Sequence, residues 1–128
     1  MLTEQTFQQA EKQPAKSYPE LVRNLKAAGV TDYTIDVNGH YRVVNGDGDV
    51  RLTFKGNLPN ACADAFSLND VVAAVKRTQQ GLSDYPTFLK EIAAAGVHTY
   101  VADLTGMRVI YQGKNKEQNY TERIPSVD

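Results

Sequence analysis

The sequence predicts an α+β protein: a two-layer sandwich built from a duplicated helix-helix-hairpin unit, with an antiparallel sheet and helices on one face. Three observations carry this. Apolar stripes at helical spacing end at Gly29 and Gly96, segments alternating between apolar and polar residues follow each glycine, and the whole pattern recurs 67 positions along the chain. One-sided alternation marks an antiparallel sheet with a single covered face.

The repeat is read by setting Tyr18-Pro19 over Tyr85-Pro86, which aligns Ser17 to Gly46 with Asp84 to Gly113 without a gap. Ten of those 30 positions are identical, among them Ala27/Ala94, Ala28/Ala95, Gly29/Gly96, Val30/Val97, Tyr33/Tyr100, Asp36/Asp103 and Gly39/Gly106. Chance gives about two at ordinary amino-acid usage. The expected organisation is one domain over residues 1–128, with 1–56 as the first copy and 67–128 as the second. Halves this short are too small to be sturdy alone, so they are expected to share one core.

Each unit opens with a helix pair. Thr3 is placed to cap Glu4 to Lys12, and Ser67 with Asp70 forms a capping box ahead of Leu68, Val71, Val72 and Val75. Ser17 and Glu20 form another box, with Pro19 in the first turn, where its missing N–H costs nothing. Leu21, Val22, Leu25 and Ala28 then make one stripe, matched by Phe88, Leu89, Ile92 and Ala95 behind the Asp84 cap. Gly29 and Gly96 are expected to stop these helices with positive φ.

Strands follow. Tyr33, Ile35 and Val37 alternate onto one face, as do Tyr100, Ala102 and Leu104. A two-residue turn at Thr105-Gly106 would pair Leu104 with Met107, Ala102 with Val109 and Tyr100 with Tyr111, and would set Asp103 opposite Arg108. In the first copy the same register brings Ile35 to Arg42 and Val37 to His40, so either the register differs or that face is partly open. Val50, Leu52 and Phe54 form a third strand, and the more polar Glu117 to Ile124 reads as an edge. Gly56 to Phe66 links the copies.

Composition narrows the function. Basic and acidic residues number 14 and 15, which argues against a nucleic-acid partner, since phosphate binding needs a clustered basic footprint. No apolar run approaches the roughly 20 residues of a membrane span, and the polar start of the chain lacks a secretory pattern, so the expected location is cytoplasmic. One cysteine and two widely spaced histidines match no metal spacing, and no cofactor is expected. Asn45-Gly46-Asp47-Gly48-Asp49 has calcium-loop composition without the closing glutamate, and reads better as a turn.

Four residues stand out as candidate binding residues: Asp36, His40, Tyr41 and Arg42. His40 near Asp36 could act as a base oriented by a carboxylate, although a hairpin turn alone accounts for a polar residue there. Arg42 stands where the second copy has the apolar Val109, and a local rule broken in one copy only is where function tends to sit. Cys62 lacks a neighbouring base, and His98 reads as structural or exposed. Seven tyrosines give amphipathic surfaces suited to ligands, although Tyr18, Tyr33, Tyr85 and Tyr100 fit core edges equally well.

The run YPTFLKEIAAAGVHTYVADLTGMRVIYQG, the later YTERIP, and LKAAGVTDY, NGH and QQGLSDYP in the rest of the chain resemble the YdfO/YbcV-like family, domain of unknown function 1398, which also carries a "phage envelope protein" label. The resemblance covers nearly the whole chain. It implies an α+β fold and a bacterial or prophage origin, and it implies no activity. The function expected is therefore a non-enzymatic binding or interaction module for an unknown protein or small molecule. The alternatives are a small hydrolase using His40 and Asp36, and a virion structural protein.

Overall fold

The computed structural model describes residues 2–56, 59–115 and 117–125. Asn57 and Leu58 of the expected linker, with both chain ends, lie outside them. The elements run α1 (Glu4–Lys12), α2 (Tyr18–Ala27), β1 (Val30–Asp36), β2 (Tyr41–Gly46), β3 (Val50–Lys55), α3 (Leu68–Gln79), α4 (Tyr85–Ala94), β4 (Thr99–Asp103), β5 (Arg108–Gln112) and β6 (Asn119–Arg123).

The caps are local chemistry. The side chains of Thr3, Ser17, Ser67 and Asp84 accept the N–H of Thr6, Glu20, Asp70 and Thr87 in turn, each satisfying an orphan donor of a first turn. Glu20 meets the Ser17 hydroxyl at 3.3 Å, so it completes the cap through the side chain. After α2 and α4 the chain turns through Gly29 at φ +101° and Gly96 at φ +92°.

The six strands form one antiparallel sheet in the order β3-β2-β1-β4-β5-β6. Its middle pair, β1 and β4, sets Thr34 opposite Val101, with Tyr33 opposite Ala102 and Ile35 opposite Tyr100. Residues 67 apart therefore lie symmetrically about the Thr34–Val101 pair. Two rows of side chains cross the covered face. One runs Leu52, Val44, Tyr33, Ala102, Val109, Glu122, and the other Tyr120, Tyr111, Tyr100, Ile35, Arg42, Phe54. Read in opposite directions, the four inner positions of the rows are 67 residues apart, Val44 with Tyr111, Tyr33 with Tyr100, Ile35 with Ala102 and Arg42 with Val109. The core between sheet and helices adds Phe7, Val22, Leu25, Val71, Val75, Phe88, Leu89 and Ile92 to these rows.

The hairpins differ from the expected two-residue turns. The second ladder closes at Asp103 and Arg108, leaving a four-residue loop, Leu104 to Met107. The Leu104 N–H is taken by the Thr31 carbonyl and the Met107 carbonyl by the Ile124 N–H, so neither group is free for a last rung. In the first hairpin the ladder ends at Ile35 and Arg42, and the Val37 N–H lies on the His98 carbonyl. That register corresponds to Ala102 opposite Val109 in the other hairpin, and it puts the Arg42 guanidinium on the covered face. Among the described residues no helix is long and apolar enough to cross a membrane.

Candidate functional site: a tyrosine-lined cavity under Arg42

A cavity of about 260 Å³ lies between the sheet and α1, α2 and α4. Tyr33, Ile35 and Tyr100 form its floor, Val44 and Arg42 one side, and Phe7, Glu11, Tyr18, Leu21, Leu25 and Tyr85 the rest. It exists because small residues stand where the other half has large ones. Val44 corresponds in register to Tyr111, and Leu21 aligns with Phe88. Around Tyr111 the space is filled: its ring lies 6.0 Å from Phe88, 5.7 Å from Tyr100 and 6.2 Å from Tyr120.

Four tyrosines meet at the cavity in two pairs. The Tyr18 and Tyr33 hydroxyls are 2.5 Å apart, and so are those of Tyr85 and Tyr100. The Tyr33 and Tyr100 rings touch edge to face at 6.4 Å. Burial pushes Tyr33 and Tyr100 well above the ordinary phenol range, and Tyr18 up to about 12. All four are protonated at neutral pH and act as neutral hydrogen-bonding groups.

Arg42 is the charge on this wall. Its guanidinium sits 5.0 Å from the Phe54 ring centre and 6.0 Å from that of Phe7, a cation held by two aromatic faces. Its Nη1 donates to Glu11 Oε2 at 3.3 Å. Among the described residues its buried Nε has no hydrogen-bond partner, which is costly for a charged donor.

The other expected residues divide. Asp36, Tyr41 and Arg42 line a neighbouring cavity of about 150 Å³ with Tyr85 and Leu89. His40 lines neither cavity; its side chain is 81% exposed, with Nδ1 3.1 Å from Asp36 Oδ2. Asp36 is buried and tied to its turn, accepting the N–H of Asn38 and of His40 and the Asn38 amide. His98 holds the linker, its Nε2 2.9 Å from the Ala63 carbonyl oxygen. Burial, and secondarily the charge of Asp36, raises the Cys62 thiol pKa, the opposite of what a nucleophile needs. A larger concavity between α1 and α2 is a shallow, solvent-open groove lined by Gln9, Gln13, Asn24 and their neighbours.

Arg42 is the lining residue expected from sequence; sequence reasoning missed Phe7, Glu11 and Val44 and left Tyr18, Tyr33, Tyr85 and Tyr100 open between ligand surface and core edge. The signal for the cavity itself was present in the aligned positions, where Val44 faces Tyr111 and Leu21 faces Phe88.

The model of a family described as protein of unknown function (DUF1398) matches residues 5–123. The chain belongs to the DUF1398 family. The match spans α1 through β6, so the six-stranded sheet and its four helices are what this DUF1398 protein presents in the matched segment. No curated protein matches this DUF1398 chain.

Proposed function

We propose that this DUF1398 protein is a non-enzymatic binding module that takes a small molecule in the tyrosine-lined cavity. The observation that carries the reading is the asymmetry of the two halves: the space closed by Phe88 and Tyr111 on one side is open beside Val44 on the other. A concave site with apolar walls and a few convergent polar groups is what small-ligand recognition requires. We also propose that the halves descend from one duplicated unit, supported by the matched rows and by the identical tyrosine pairs 67 positions apart.

A rival reading, a small hydrolase, draws on the 3.1 Å approach of His40 to Asp36. Against it, the Asp36 oxygens are occupied by turn donors and the imidazole projects into solvent. The virion reading requires stable high-order assembly, which a size measurement in solution decides.

The test of the binding reading is a titration of the ¹⁵N-labelled protein with a set of small aromatic fragments, repeated with Val44→Tyr and Leu21→Phe. Fragments are expected to shift amides around Tyr33, Val44 and Tyr100, and to lose that effect when either filling variant is used. Shifts confined to other surfaces, or undiminished in both folded variants, would overturn the proposal.

A further inference from the structure

We infer that the ligand of this cavity is a small aromatic carboxylate, its ring stacked among the tyrosines and its carboxylate on the guanidinium of Arg42. The inference rests on the binding reading above and specifies the chemistry of the same site.

A donor count leads to it. In each tyrosine pair one hydroxyl gives its proton to the other, so each pair keeps one O–H proton that the pair does not use. Arg42 adds a guanidinium to the lining, its Nε–H buried and without a partner among the described residues. The single anionic group on the lining, Glu11, is engaged by Nη1 of the same guanidinium. Each hydroxyl oxygen can also accept, so the tyrosine pairs can serve a ligand either way, whereas the guanidinium of Arg42 on the lining can only donate. A group rich in acceptors answers this, and a carboxylate answers it best, because charge-assisted bonds to guanidinium are short and strong and its two oxygens suit a planar donor edge.

The body of the ligand follows from the walls. Tyr18, Tyr33, Tyr85, Tyr100 and Phe7 present ring faces and edges, and Leu21, Leu25, Ile35 and Val44 supply aliphatic surface. A flat ring packs against such surfaces with little ordering cost. The small volume, below the roughly 300 Å³ at which drug-sized pockets begin, limits the ligand to about one ring with a short acid arm. Glu11 competes with the ligand carboxylate for the same cation, and its side chain is 40% exposed, so it can turn outward to water as the ligand enters.

The experiment compares phenylacetate with the isosteric neutral phenylacetamide by calorimetric titration of the unaltered protein, which involves no variant that might fail to fold. Phenylacetate is expected to bind at least about tenfold more tightly, the difference of one charge-assisted bond. Glu11→Gln is expected to tighten phenylacetate and leave phenylacetamide unchanged, and Arg42→Met to reduce phenylacetate to the level of the amide. Equal affinities, with both compounds blocked by Val44→Tyr, would overturn the carboxylate inference and leave the binding reading standing. Absence of binding by phenylacetate overturns the inference whatever the fragment titration returns.

Discussion

Gly29 and Gly96 share a left-handed backbone and differ in what surrounds them. A Cβ on Gly29 would meet the Leu2 nitrogen at 3.0 Å, whereas one on Gly96 would run into the Ala65 carbonyl oxygen and lie 2.7 Å from the Phe66 Cα. Both substitutions to alanine carry the backbone cost of positive φ, about 1 kcal/mol. Gly96→Ala adds the displacement of the linker backbone, so its total should reach about 2–3 kcal/mol. Urea denaturation of the two variants checks the order; equal losses would show that the linker yields freely.

The tyrosine pairs should behave as coupled units. Tyr18→Phe leaves the Tyr33 hydroxyl buried without its 2.5 Å partner, at a cost of about 1–3 kcal/mol. Adding Tyr33→Phe removes the stranded group, so the double variant should lose less than the sum of the singles. The same cycle on Tyr85 and Tyr100 should give coupling of the same sign, since their hydroxyls are spaced identically. Additive losses in both cycles would mean that the hydroxyls contribute independently.

Stability should fall as pH rises through the range of Glu122. This carboxyl ends one of the two rows on the covered face, and its Oε2 is buried without a hydrogen-bond partner among the described residues. Burial, partly offset by a hydrogen bond from Gln79, raises its pKa from 4.5 to about 7. Between those values the folded chain keeps a proton that the unfolded chain releases, so this group's contribution is full below about 4.5 and is lost as pH climbs to about 7. Glu122→Gln should flatten that slope and raise stability above neutrality by about 1 kcal/mol, the full shift being discounted because the carboxyl still reaches solvent. Thermal melts across that range are the check, and an unchanged slope in the variant would assign the effect elsewhere.

His40 and Asp36 should separate on substitution. The His40 side chain stands in solvent, so His40→Ala should change stability by no more than about 0.5 kcal/mol and leave phenylacetate affinity unaltered. Asp36→Ala strands two backbone N–H donors of the turn and should cost about 2 kcal/mol. Denaturant unfolding distinguishes them. Loss of a measured ester hydrolysis in folded His40→Ala would favour the hydrolase reading instead.

Much of the fold was legible because its signals are local. Caps at Thr3, Ser17, Ser67 and Asp84 act within one helical turn, and the stops at Gly29 and Gly96 depend on backbone preference. The alternation of Tyr33 with Ile35 and of Tyr100 with Ala102 declares which side is covered, since a strand sends successive side chains to opposite faces. The Arg42-for-Val109 departure was equally visible, because two aligned halves let each serve as the standard for the other.

What tertiary structure alone decided involves partners far apart in the chain. Where the two hairpin ladders close depends on Leu104 meeting Thr31 and Val37 meeting His98 across the middle of the sheet. The meeting of Tyr18 with Tyr33, of Tyr85 with Tyr100 and of all four at one cavity requires the β1–β4 pairing, which no local pattern encodes. The β1–β2 register separates His40, which the turn directs into water, from Arg42, which it turns inward between Phe7 and Phe54. Sequence by itself determined the elements, their covered faces and the one place where the halves break their shared pattern. Packing determined that the break encloses a cavity, because enclosed volume depends on which side chains oppose one another across layers, and that is settled only when the sheet and helices close together.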